Sequence, residues 1–329
     1  MLDVFIRNAL VVDGTGAPSI RRSVGIREGR IVLEVKNDAA HRTIEADDLM
    51  LCPGFIDIHT HYDAQLGWDP YASPSCQHGI TTVLSGNCGF TLAPLRPEFA
   101  DYLMRMMAVV EGMPLVSLQQ GLEWNWRSFD EYLNRFEGRI AVNAGFMAGH
   151  SALRLAVMGK SAIGQPASDE QIAGMVRLLK QCMREGALGF STSQSFTHVD
   201  QDGMPVPSRA ASRQELLALA EAIREFPGKS LQLTMSGSTK GFESHEVQLM
   251  TDMSRVAGCP LNWNPFQVKV EVPGFIEHQL EASDYARQHG ASILGLILPK
   301  EQRLLFSFGS GIPLNALPGW GPVFALDKE

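Results

Sequence analysis

Three absences narrow the field before any motif is read. The chain has no uninterrupted apolar run approaching the roughly 20 residues that a membrane span needs, so no span is expected, although 45% of its 329 residues are hydrophobic. It has no basic excess. The 28 Lys and Arg are scattered and outnumbered by 36 Asp and Glu, leaving a net charge of −8, which argues against a nucleic-acid surface. It also has no C-x-x-C pair among its five cysteines, at 52, 76, 88, 182 and 259, an odd set that suits a reducing compartment better than a disulfide framework. The N-terminus carries Asp3 and Arg7 inside its apolar run and lacks the basic region that opens a signal peptide, so a cytoplasmic location is expected.

What is present changes texture near residue 54. Residues 1–53 hold short apolar runs (Val4-Phe-Ile, Ala9-Leu-Val-Val12, Ile31-Val-Leu33) separated by turns such as Asp13-Gly-Thr-Gly and Arg27-Glu-Gly-Arg30, which predicts a small β segment. Residues 54–329 alternate strand-like runs with amphipathic helices, the pattern of repeated βα units around a parallel sheet. Candidate strands cover 55–61, 80–86, 140–147, 187–192, 231–235, 260–266 and 291–297. Ser128-Phe-Asp-Glu131, Ser168-Asp-Glu-Gln171 and Ser212-Arg-Gln-Glu215 each fit a capping box at a helix start. In helix 169–185, Ile172, Met175, Val176, Leu178, Leu179 and Met183 recur at the helical period and predict a core-facing stripe. A parallel barrel closes with eight strands, whereas only the loop-like Leu317-Pro-Gly-Trp320-Gly-Pro322 follows the seventh candidate. The expected fold is therefore a TIM-like (β/α)8 barrel incomplete at its C-terminus, with the β segment awaiting partners from further chain.

Two constellations carry chemistry. His59-Thr-His61 closes the run Phe55-Ile-Asp-Ile58, and in a strand residues i and i+2 share a face, so two imidazoles there can converge on one ion at the end where a barrel places its site. Alone, the pattern fits two partly exposed strand histidines equally well. Gly86-Asn-Cys-Gly89 closes the run Ile80-Thr-Thr-Val-Leu84 and offers Cys88 either as a thiolate ligand or as a small buried apolar residue.

Taken together, Pro53-Gly-Phe-Ile-Asp-Ile-His-Thr-His-Tyr-Asp63, Gly79-Ile-Thr-Thr-Val-Leu-Ser-Gly-Asn-Cys-Gly-Phe90, Gly186-Ala-Leu-Gly-Phe-Ser-Thr192 and Gly149-His-Ser-Ala-Leu-Arg154 resemble the amidohydrolase superfamily, in its D-aminoacylase (N-acyl-D-amino-acid deacylase) branch. The resemblance covers most of the chain, and implies that the N-terminal β segment belongs to a composite sandwich. It implies that His59, His61 and Cys88 hold one or two divalent ions, zinc first, with Cys88 replacing the bridging carboxylated lysine of other amidohydrolases. The implied reaction is hydrolysis of a carbon–nitrogen bond other than a peptide bond, in a small-molecule N-acyl amino acid or related amide, with a general-base aspartate expected beyond residue 329. Asp57, Asp63 and His150 are the further candidates, to orient a ligand or touch substrate.

Departures accompany the matches. Where the branch has Thr-His-Met, this chain passes from Thr234 directly to Met235; where it ends a strand in His, this chain has Asn264, a poor zinc ligand; and Phe196 replaces a Tyr. His198, in Ser195-Phe-Thr-His-Val-Asp200, reads as a surface-loop residue, and His41, His78, His245, His278 and His289 as solvated. Trp124, Trp126 and Met104-Arg-Met-Met107 read as core, with a hydrophobic lid as the alternative. Two other functions stay open: a cyclic amidase of the hydantoinase or dihydroorotase kind, disfavoured because no strand-end Lys stands out, and a catalytically silent relative serving as a scaffold.

Overall fold

The computed structural model describes residues 1–35, 38–269, 271–298, 319–320 and 323, and divides into two compact units, Met1–Phe55 and Ile56–Glu329. In the first unit the apolar runs at 4–6 and 9–12, separate in the sequence reading, form one strand, β1 (Leu2–Val11). A bulge between Ile6 and Ala9 takes up Asn8 at φ 56°, a left-handed conformation that asparagine tolerates. β2 (Ile20–Arg27) and β3 (Arg30–Val32) form a hairpin through Glu28 and Gly29, at φ 51° and 71°, and positive φ at both central positions is what a two-residue turn needs to match strand twist. β4 (Ala40–Glu45) and β5 (Met50–Leu51) both run parallel to β1. Leu2, Phe5, Ala9 and Val24 are buried in this five-stranded sheet.

The strands that follow correspond to the seven runs expected from the sequence: β6 (Phe55–Asp57), β7 (Ile80–Ser85), β8 (Asn143–Phe146) with β9 (Ala148–Gly149), β10 (Gly189–Gln194), β11 (Ser230–Met235), β12 (Leu261–Phe266) and β13 (Ile293–Ile297). The third run, 140–147, holds β8 alone, with β9 just past its end after Met147, and the strands form two sheets, β6-β7-β8 and β9-β10-β11-β12-β13, the second parallel throughout. The segment between β7 and β8 carries α1 (Ala100–Val110), α2 (Leu115–Gly121) and α3 (Phe129–Leu133). After β9 each strand alternates with helix: α4 (His150–Met158), α5 (Asp169–Arg184), α6 (Arg213–Ile223), α7 (Ser244–Ala257) and α8 (Phe275–Gln288). This is a TIM-like α/β arrangement. Apart from Gly319 and Trp320, the loop expected at 317–322 lies outside the described residues.

Helix starts and core faces follow local chemistry. Ser128 and Ser168 form complete capping boxes with Glu131 and Gln171. Ser212 caps α6 by accepting the Glu215 N–H, but the reciprocal bond expected from Glu215 is not made, because that carboxylate turns inward. Ile172, Met175, Leu179 and Met183 are buried on α5, as their spacing predicts. Met106, Met107 and Trp126 are fully buried beside Phe129 and Tyr132, so the Met-rich run is core and not a lid.

Candidate metal centre

β6 ends four residues before the sequence suggests. Asp57 Oδ1 accepts the His59 N–H at 3.2 Å, which takes the chain out of the ladder, and Thr60 then pins the next turn to the end of β7. The Thr60 N–H donates to the Leu84 carbonyl at 2.9 Å and its hydroxyl lies 2.8 Å from the Ser85 hydroxyl. His59 and His61 flank this pinned residue with ring centroids 5.4 Å apart. Their convergence thus comes from a fixed turn and not from strand parity. Asp57 serves the His59 backbone and does not bond its ring.

Cys88 stands at φ 56° between Gly86 and Gly89, both also at positive φ. A left-handed non-glycine residue costs about 1–3 kcal/mol and persists only where its surroundings hold it. Here the Cys88 N–H donates to Gln232 Oε1 at 2.6 Å, and Ser191 Oγ both accepts the Gly89 N–H at 3.0 Å and donates to the Gly86 carbonyl. The result aims Sγ at the two imidazoles, 3.5 Å from His59 Nε2 and 3.7 Å from His61 Nε2. The three donor atoms all lie within 4.8 Å of one another, and no other such His/Cys/Asp/Glu group occurs among the described residues. Tetrahedral zinc, with Zn–N near 2.05 Å and Zn–S near 2.3 Å, requires N···S edges of about 3.6 Å. The donor types and spacing therefore fit a small divalent ion.

Burial governs the protonation of the trio. Desolvation lowers His59 to about 4 and, aided by His59 and His198, holds His61 well below its usual range, so both rings are neutral at pH 7 with lone pairs available. Burial, reinforced by the nearby Glu111 carboxyl, raises the Cys88 thiol to about 12. A thiol so buried gives up its proton when a cation stands beside it.

Around the trio lie residues that sequence reading missed. Glu111, which caps the C-terminus of α1, places Oε1 3.4 Å from His61 Nδ1 and is 16% exposed. Its carboxyl is raised well above its ordinary range by burial, then by Asp63. Its one sequence signal is an acidic residue directly after the apolar run Met106–Val110. Gln232, Thr234 and Asn264, from β11 and β12, form the wall behind Cys88, with Thr234 Oγ1 3.2 Å from Sγ and Asn264 Nδ2 3.4 Å from His59 Nε2. Met235 points into the core instead. His198 is not a surface-loop residue: Nδ1 lies 2.7 Å from Ser193 Oγ, its ring packs 5.0 Å from Phe90, and burial lowers it to about 4.

The remaining expected residues sit behind the site. Asp63 is fully buried, accepts the Gly86 N–H at 3.1 Å and is raised to about 7 by burial. His150 is fully buried with Nδ1 2.8 Å from Thr192 Oγ1 and Nε2 2.8 Å from Glu215 Oε1, which leaves neither nitrogen for substrate. Arg154 Nη1 completes that cluster, 2.5 Å from each Glu215 oxygen. Phe196 is 43% exposed, and His41, His78, His245, His278 and His289 are exposed.

Comparison with known proteins gives a consistent picture. A model of the amidohydrolase family matches residues 42–304. D-aminoacylase of Alcaligenes xylosoxydans xylosoxydans is 32% identical over 229 residues, 69% of this chain and 43% of that enzyme; N-acyl-D-aspartate deacylase of the same organism is 34% identical over 231 residues, 68% and 41%. The chain thus spans less than half the length of these curated relatives. Among solved structures, N-acyl-D-glutamate deacylase from Bordetella bronchiseptica, complexed with zinc and a phosphonate inhibitor, aligns with TM-score 0.74 and 26% identity over 91% of this chain and 59% of its own. D-aminoacylase, described as having a binuclear metal centre, aligns with TM-score 0.70 and 28% identity over 89% and 57%. No described helix is long and apolar enough to cross a membrane.

Proposed function

The chain belongs to the amidohydrolase family, and on that premise we propose that it binds a divalent metal ion, zinc first, between His59, His61 and Cys88 and serves hydrolysis of the amide bond in a small N-acyl-D-amino acid. The observation that carries the reading is the donor trio, with N···S edges of 3.5 and 3.7 Å against the required value of about 3.6 Å. An ion held there supplies polarisation of a scissile carbonyl and a water acidic enough to react at neutral pH.

The chain's own groups prepare that chemistry. Burial keeps both imidazoles neutral, and His61 Nε2 faces Cys88 Sγ at 3.7 Å. In the folded chain, the anchoring of Cys88 by Gln232 sets the direction of Sγ. Phe90, between His61 and His198, gives the cleft an apolar side that excludes water from the donors. Cys88 in this position favours the deacylase reading over a cyclic amidase built on a carboxylated lysine.

A second reading, an ion-binding but catalytically silent relative, is favoured by one feature: the inward positions of β11 and β12 are amides and a hydroxyl in place of further ligands. Metal analysis and N-acetyl-D-amino-acid hydrolysis separate the two. Purified chain is expected to carry zinc that His59→Ala and Cys88→Ala lose. Metal with turnover supports the deacylase, metal without turnover the silent relative, and no metal in the wild type defeats both.

A further inference from the structure

We propose that the Asn264 side-chain amide is locked with its NH2 edge toward His59 and Cys88, so that β11 and β12 present hydrogen-bond donors to a single-ion site and to the substrate oxygen bound there. The inference rests on the metal-centre reading above, and it follows from the polarity of one hydrogen-bond relay.

The relay starts at a group whose direction is not negotiable. The Cys88 backbone N–H only donates, so the Gln232 atom 2.6 Å away is the carbonyl oxygen. The other end of that amide is then NH2, and it lies 2.5 Å from Asn264 Oδ1 and 3.2 Å from Thr234 Oγ1. Thr234 accepts from Gln232 and keeps its own proton, which reaches Asn264 Oδ1 or Cys88 Sγ, each at 3.2 Å. Asn264 Oδ1 therefore accepts from Gln232, with the Thr234 hydroxyl as a second donor within reach, and is turned toward β11 and away from the ion site. Turning the Asn264 amide over would set its NH2 against the Gln232 NH2; turning both would set the Gln232 NH2 against the Cys88 N–H. Either arrangement leaves opposed donors in a largely buried wall.

The free edge, Nδ2, stands 3.4 Å from His59 Nε2 and 3.9 Å from Cys88 Sγ. Its N–H groups are placed to stabilise negative charge on the Cys88 sulfur and on an oxygen bound opposite it, the charge that builds on a carbonyl oxygen under attack. The ligand class is thus an amide carbonyl or a tetrahedral oxyanion. The same orientation withholds the oxygen that a second ion would need, and among the described residues the His59–His61–Cys88 trio is the only three-donor group.

The test is equilibrium dialysis of the 329-residue chain against Zn2+, with a parallel Co2+ titration in which sulfur-to-cobalt charge-transfer absorbance reports Cys88 ligation. Wild type is expected to bind one ion. Asn264→Asp, which puts a carboxylate oxygen where the NH2 stood, is expected to bind at least about tenfold more tightly. Asn264→Leu is expected to keep one ion, with a shifted charge-transfer band because the N–H to sulfur is gone. Two ions in the wild type, loss of the ion from a folded Asn264→Leu, or no gain in Asn264→Asp overturns the inference while leaving the metal centre standing. No ion in the wild type overturns both.

Discussion

A buried carboxyl group beside the far nitrogen of an imidazole acts on the charge of the ring. Glu111 Oε1 lies 3.4 Å from His61 Nδ1, within ion-pair reach although no hydrogen bond joins them, while Nε2 faces the sulfur at 3.7 Å. Glu111→Gln keeps the volume and removes the charge; Zn2+ affinity, measured by competition with a chromophoric chelator, is expected to fall about 10–100-fold with the thermal midpoint little changed. Unchanged affinity would mean that the contact is incidental. At this scale the donors were legible because each sits in its own short motif: two histidines one residue apart, and a cysteine between glycines. Their partners were not. Glu111 drew no reading from the sequence, and Gln232 and Ser191 fall within the candidate strands 231–235 and 187–192 without further signal. Their roles arise only when segments distant in sequence are packed together, as with Gln232 and Cys88, 144 residues apart. His198 was misread for the same reason, since Phe90 is what covers it.

Between α4, α6 and β10 lies a fully buried ionic cluster of His150, Arg154 and Glu215 that ties the helix layer to the strand behind the Cys88 loop; the Ser151 N–H, one residue along α4, donates to the Gly89 carbonyl at 3.1 Å. Glu215→Gln leaves the Arg154 charge without its partner and is expected to cost about 3–5 kcal/mol in urea unfolding. The same cluster sets a pH dependence. Burial depresses the folded-state pKa of His150 below its ordinary value, so its contribution is fully present above about pH 6.5 and is lost as acid protonates the unfolded imidazole first. The stability margin of wild type over His150→Asn is therefore expected to shrink from pH 7 to pH 5; a margin that widens would reverse the sign. Sequence periodicity located these elements well, and the Ser212 motif marked the start of α6 correctly. It could not show that Glu215 prefers Arg154 to the capping bond, because a cap is a local pattern and an ion pair across helices is not. A neighbouring junction is equally demanding: Gly86, at φ 76°, has the Met147 carbonyl where a Cβ would stand, so Gly86→Ala is expected to cost at least about 1–3 kcal/mol and to loosen zinc.

Across the whole molecule, the alternation of strands and helices was enough to read a TIM-like arrangement, while the break between the two sheets at Met147, whose backbone Gly86 lets approach closely, is encoded by no periodicity. The sheets end on strands with exposed apolar side chains: Ile56 at 65% on β6, and Leu294 and Ile297 at 52% and 56% on β13. Such edges pair with other copies. The chain alone is expected to self-associate with rising concentration, and Leu294→Lys with Ile297→Lys to shift its sedimentation toward monomer; unaltered sedimentation would place the association elsewhere. The order of the site along the polypeptide also has a temporal meaning during synthesis. His59, His61 and Cys88 all emerge within one short stretch, so closing the loop between them costs little entropy and a cation can gather them while the ribosome is still far from Gln232. The relay through Gln232 and Asn264 is added afterwards. On the proposed metal-centre reading, the donors are thus available to a nascent fragment, whereas their orientation belongs only to a chain that has completed its twelfth strand.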